Sequence, residues 1–217
     1  MPSRASTAWP PGCGRWWWAG DEPSHFWTEG PVPSRILIHV EHPAGCGPLA
    51  EHLAAAGHEV TVAHGGRPDG GLAGVKLVPL PNAPAAPSDG DWEALRWTAT
   101  HRLAAELRPD LLIVELFPFG RRDLAFELTP LIQIVAARGG HIAVTLPATL
   151  APPRDPALDR DAAAFARDWA DLILVEGDPA APPLEAQVPA LADLAGRLRY
   201  AGADGVAGTV AALQPLL

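Results

Sequence analysis

The chain of 217 residues is long enough for one substantial core and too short for two full-sized α/β domains. Its formal net charge of −9 argues against nucleic acid or an anionic membrane surface as partner, since either needs a basic face, and leaves a small soluble ligand as the better match. Cys13 and Cys46 form neither a C-x-x-C pair nor a disulfide framework, which points to a reducing cytoplasm, and no run approaches the ~18 apolar residues of a membrane span.

Residues 1–33 contain short Trp-rich bursts broken by Pro and Gly, show neither helical nor strand period, and lack the continuous apolar stretch of a secretory signal. They are expected to be a disordered, dispensable extension. From Arg35 the pattern changes. "RILIHVE" predicts a strand, "HPAGCGP" a loop, and "LAEHLAAAG" a short helix stopped by Gly57. "HEVTVAH" and "VKLVPL" predict two more strands, and a Pro-rich loop whose residues 88–91 can cap leads into a helix over 92–107. "LLIVE" is the continuous apolar strand of a parallel sheet buried on both faces. A helix over 123–137, the strand "HIAVTL", a helix over 159–170, the strand "LILVEG", partial helix within 182–194 and a short strand in "RLRYAG" follow. The alternation predicts an α/β fold with a single parallel, doubly wound sheet over 34–203 and an apolar C-terminal tail at 204–217.

In such sheets ligands bind beyond the carboxyl ends of the strands. Gly45 and Gly47 fall between the first strand and the first helix, where backbone N–H groups can receive an anion. The third glycine of a dinucleotide fingerprint is missing, and a tight turn alone also calls for glycine. His39 and His42 flank Glu41, but i and i+3 on a strand face opposite sides, so no metal pair is expected and His42, nearer the crevice, is the candidate base. Cys46 is a nucleophile only if a neighbour lowers its pKa, and the sequence names none. In "ELFPFGRR", Glu115 ends a buried strand where a carboxylate can act as base or hold a hydroxyl. Phe117 and Phe119 can form an apolar platform, Gly120 completes the turn, and Arg121 and Arg122 can pair with phosphate. The same residues also read as a plain turn, with the phenylalanines packed beneath it and the arginines solvated. Asp178 and Pro179 read as a turn or helix start. No cofactor motif is complete.

Taken in order, "RILIHVEHPAGCG", "AAAGHEVTVAHGG", "RPDLLIVELFPFGRRDLAFEL", "LILVEGDP" and "RLRYAG" resemble the amino-terminal domain of predicted glycosyltransferases of the GT-B fold, distantly similar to the lipid-linked N-acetylglucosamine transferase of cell-wall synthesis. The resemblance spans about residues 35–202 and implies a Rossmann-like domain in which the loops at Gly45, Gly47 and "ELFPFGRR" line the acceptor side of an interdomain cleft. It implies a sugar or phosphate-bearing acceptor and a separate donor-binding domain, which the chain is expected to lack.

Two departures bear on the site. A strand of about seven residues rises roughly 20 Å whereas a helix of about nine returns only about 14 Å, as if a turn of the first helix were deleted. The loop "PATLAPP" stands where the family shows an Arg-Asp pair. The expected function is therefore a glycosyltransferase-like acceptor half that transfers sugar only with a donor-binding partner. The alternatives are a non-catalytic Rossmann-like remnant or binding module, and an independent small α/β enzyme, for which no complete motif is present.

Overall fold

Alternate residues of seven short strands point to opposite faces of one parallel sheet in the computed structural model, which describes residues 32–66, 70–82, 91–177, 182–202 and 205–217. The strands are β1 (Arg35–Val40), β2 (Glu59–His64), β3 (Val75–Pro79), β4 (Leu111–Glu115), β5 (His141–Pro147), β6 (Leu172–Glu176) and β7 (Leu198–Tyr200). Their order is β3-β2-β1-β4-β5-β6-β7, every neighbouring pair parallel, so the direction of winding reverses between β1 and β4. This is a Rossmann-like α/β fold, as the strand–helix alternation predicts. The expectations for residues 1–31 and for the caps at 88–90 lie outside the described residues.

Helices cover both faces: α1 (Pro43–Ala55), α2 (Asp91–Leu107), α3 (Ala125–Ala137), α4 (Pro156–Trp169), the single turn α5 (Leu184–Gln187) and α6 (Val206–Leu213). On one face Ile36, Ile38, Val60, Val62, Leu111 and Ile113 meet Leu49, Ala50 and Leu53 of α1 and Val210 and Leu213 of α6. On the other, Leu37, Leu112, Val114, Val144, Ile173 and Val175 meet side chains of α2, α3 and α4. The period of two in the strands thus feeds two cores from one sheet. No helix among the described residues is long and apolar enough to cross a membrane.

Two elements differ from the sequence expectation. Helix α1 begins at Pro43 and absorbs the whole "PAGCGP" segment, so it has 13 residues and returns about 20 Å, the rise of β1. No turn is missing. Proline at the first helical position suits the entry, because its absent N–H would have no partner there; Pro48, inside the helix, has no N–H to give to the carbonyl four residues back. The apolar segment 204–217 contains α6, whose Val210 and Leu213 lie in the core shared with α1, so its apolar side chains do have cover.

Beneath the second face lies a buried charged network. Arg96 of α2, 1% exposed, donates through Nε to Glu127 Oε1 of α3 at 2.5 Å, through Nη1 to the Pro81 carbonyl at 3.2 Å, and through Nη2 to Glu41 at the end of β1. Thr100 Oγ1 donates to the other oxygen of Glu127 at 2.9 Å, and His39 Nε2 stands 3.4 Å from Oε1, too far for a well-formed hydrogen bond. Burial would raise the Glu127 pKa; the neighbouring His39 and Arg96 side chains overcome it and hold the carboxyl below its ordinary value.

A group with a depressed folded-state pKa contributes stability above its unfolded value and loses it as pH falls through the folded one. Stability in urea is therefore expected to decline as pH falls below about 4.5, and Glu127→Gln, weaker at neutral pH, should show a shallower decline over that range. Arg96→Ala strands the buried Glu127 carboxylate and the half-buried Glu41 and should cost about 3 to 5 kcal/mol at neutral pH. A chain whose melting temperature is unchanged by Arg96→Ala would show that the network contributes nothing to stability.

Candidate functional site

At the carboxyl end of the sheet, on the face of α1 and α6, the chain leaves a cavity of about 360 Å³. It lies where the winding reverses, the place at which open α/β sheets hold ligands. Strand parity builds it: Ile38 and Val40 of β1 and Ile113 of β4 form an apolar floor, and the same face continues into Glu115, Thr145 and Glu176 at the ends of β4, β5 and β6. Gly45, Cys46 and Leu49 of α1 form one wall, Val206 and Thr209 of α6 another. Gly205, just before α6, also lines the cavity with φ +54, a conformation that favours glycine. A Cβ at Gly208 would sit 1.7 Å from the Ala201 carbonyl oxygen, so α6 lies directly on the chain that follows β7.

The cavity is acidic. Among the described residues no lysine, arginine or histidine lines it. Burial raises the pKa of Glu176, and the charge of Glu115 raises it further. The Cys46 thiol is pushed up to about 11, first by burial and then by Glu115 and Glu176, against an opposing backbone hydrogen bond. That value makes it a poor nucleophile near neutrality. The start of α1 is no open anion receptor either, since Glu115 Oε1 stands 4.0 Å from the Cβ position of Gly45. A phosphate in this cavity would meet two carboxylates and no counter-charge. No group of three or more His, Cys, Asp or Glu among the described residues could hold a metal ion.

Of the residues singled out from the sequence, Glu115 and Gly45 meet at the cavity. Gly47 does not face it: it is buried, with its Cβ position 3.2 Å from Leu72 Cδ2. His42 precedes α1 and lies against the loop that follows β2, its Nδ1 2.6 Å from the Cβ position of Gly66, outside the cavity lining. Phe117 and Phe119 are 4% and 2% exposed; Phe117 meets Phe165 of α4 edge to face with centroids 5.4 Å apart, so neither offers a platform. Gly120 closes the turn, its N–H donating to the Leu116 carbonyl at 2.7 Å. Arg121 adopts the left-handed conformation, and Arg122 donates to the Pro118 carbonyl at 3.4 Å and to Asp159 Oδ1 at 3.3 Å. Asp159, buried in α4, is also held by Arg154, whose Nη2 reaches the Phe119 carbonyl at 3.2 Å. "FPFGRR" is thus a turn clamped onto α4, on the face opposite the cavity.

Sequence reasoning missed Glu176, Thr145 and Thr209 at the cavity and Arg96 and Glu127 beneath the sheet. A signal existed for Glu176: "LLIVE" and "LILVE" are near copies, and each ends in glutamate at the carboxyl edge.

No protein-family model and no curated protein matches the chain. Among solved structures it is similar to CalG4, the calicheamicin glycosyltransferase, with TM-score 0.45 and 14% identity over 78% of this chain and 53% of that one. It therefore spans about half the length of that enzyme. It is similar also to the Bordetella bronchiseptica enzyme WbmH in complex with NAD+ (TM-score 0.47, 15% identity, 84% and 73% covered) and to a double mutant of a Serratia marcescens short-chain dehydrogenase/reductase (TM-score 0.41, 16% identity, 84% and 91% covered). At these values the reading of the site rests on the chain's own residues.

Cys46 reports the field of the cavity. Its alkylation by iodoacetamide, followed by mass spectrometry of the peptide that carries it, should be slow near pH 8 and should quicken in Glu115→Gln, about tenfold for each pKa unit regained. An unchanged rate would mean that the Glu115 charge does not act on the thiol. Phe117→Ala should lower stability by about 3 to 5 kcal/mol, the cost of an emptied aromatic core site.

Proposed function

We propose that the cavity is the acceptor site of a glycosyltransferase-like Rossmann domain, one half of a two-body enzyme. The observation that carries this reading is the pair of carboxylates, Glu115 and Glu176, set with Thr145 at the edge of an apolar floor at the winding reversal. Carboxylates and hydroxyls beside an apolar surface suit a polyhydroxylated molecule, and the order of motifs in the sequence, "ELFPFGRR" above all, supports the same class.

In this reading Glu115 is the base. It accepts the proton of the acceptor hydroxyl as that oxygen forms its bond to the anomeric carbon of the donor sugar and the bond from that carbon to the nucleotide oxygen breaks. The nucleotide-sugar belongs to a second Rossmann-like body, in the same polypeptide or a partner, because no cation among the described residues lines this cavity to meet a diphosphate. Bringing the bodies together supplies the proximity on which transfer depends. The absence of a basic group at the cavity equally favours a second reading, a binding module that holds a sugar and performs no transfer. Free Cys46 fits a reducing compartment such as the cytoplasm.

The chain by itself should turn over no UDP- or GDP-sugar, and measurable transfer by the purified protein would overturn the half-enzyme reading. Titration with neutral sugars monitored by NMR should shift resonances of Ile113 and Thr145. Glu115→Gln should weaken that binding by about 1.5 to 3 kcal/mol, the usual contribution of a hydrogen bond to a charged group.

A further inference from the structure

The charges facing the cavity are of one sign, and the polar group between them has no partner. Glu115 and Glu176 end β4 and β6, the strands on either side of β5, and Thr145 on β5 faces the same cavity. Thr145 is 8% exposed, and its hydroxyl has no hydrogen-bond partner among the described residues. Thr209, across from it on α6, already gives its hydroxyl proton to the Gly205 carbonyl at 3.1 Å and so faces the cavity as an acceptor. Two carboxylates and two hydroxyl oxygens thus offer acceptors around one space, above a floor of Ile38 and Ile113.

We propose that the cavity binds a primary ammonium group on a hydroxylated, amino-sugar-like skeleton, with Glu115 and Glu176 flanking the cation and Thr145 between them. An ammonium brings three donors and a positive charge, which this acceptor-rich, cation-free lining lacks. The carbon skeleton beside it covers the apolar floor. A divalent metal fits less well: magnesium and calcium demand six or more oxygens in a shell, and much of the lining is hydrocarbon. A sugar phosphate is opposed by both carboxylates. The hydroxyl part of this ligand rests on the acceptor reading above; the ammonium part rests on the lining alone.

Calorimetric titrations of the full chain at low salt and near-neutral pH separate the two, with glucosamine, N-acetylglucosamine, glucose, n-butylamine and magnesium chloride as probes. Glucosamine is expected to bind at least about tenfold more tightly than N-acetylglucosamine or glucose, and the preference should fall to about twofold or less in Glu115→Gln and in Glu176→Gln. Both variants should melt as the parent does; if Glu115→Gln does not fold, Glu176→Gln decides. Equal binding of the three sugars overturns the ammonium site and leaves the acceptor reading standing. Glutamate-dependent binding of n-butylamine without any sugar supports the ammonium site and removes the acceptor reading. A glucosamine preference that survives both substitutions, glutamate-dependent magnesium binding without glucosamine binding, or no binding of any probe overturns the proposal.

Discussion

The guanidinium of Arg96 is the constraint around which the other parts are arranged. Its planar fork joins the end of β1, through Glu41, to α3, through Glu127, and it reaches the Pro81 carbonyl after β3. Three stretches distant in sequence must therefore converge at one buried point, and each must leave room. Gly65 and Gly66 supply part of that room: a Cβ at Gly65 would lie 2.6 Å from Glu41 Oε2 and 2.8 Å from Arg96 Nη1, and one at Gly66 2.7 Å from the Glu41 carbonyl oxygen. Such a network is a costly way to fill a core, because a hydrophobic replacement of equal shape often does as well. Its effect here is geometric: α2 and α3 cannot slide past one another without separating the buried Arg96–Glu127 pair.

The distribution of charge across the sheet follows from the same economy of partners. Arg96 is committed to Glu41 and Glu127 beneath one face, and Arg122 and Arg154 are committed to Asp159 of α4 on that face as well. These carboxylates compensate the arginines nearest the carboxyl end. Glu115 and Glu176 point to the other face, where α1 and α6 bring no cation to the cavity. The acidity of the cavity is local and does not simply mirror the overall negative charge of the chain.

Strands and long helices were legible because burial on a sheet leaves a period of two or an unbroken apolar run, as in "LLIVE"; the start of α4 was read three residues late, at 159, although Asp155 caps it through its side chain just before Pro156. Helix α1 was not. Two glycines and Pro48 in its first six residues suppress local propensity, and only Leu49, Ala50 and Leu53, docked on the sheet, hold that turn helical. The rule that ligands gather at strand ends pointed to Glu115 and Gly45, and both line the cavity. The rule cannot say which way a loop folds back, and so it brought in His42, Phe117 and the two arginines, none of which lines the cavity. Arg96 and Glu127 left no pattern at all: 31 residues apart on two helices, they look like any charges on a solvated face until the helices are packed together.

The contact of Gly208 with Ala201 makes α6 a gauge for the cavity. Where backbone rests on backbone with no side chain between, the distance from helix to sheet is set by a hydrogen atom, and a single methyl group is a shim. Val206 and Thr209 ride on the same short rod, so a shim at position 208 would tilt both and widen the mouth beside Glu176 without touching any group that faces a ligand. The aperture of this cavity and the carboxylates that line it are therefore set by separate residues.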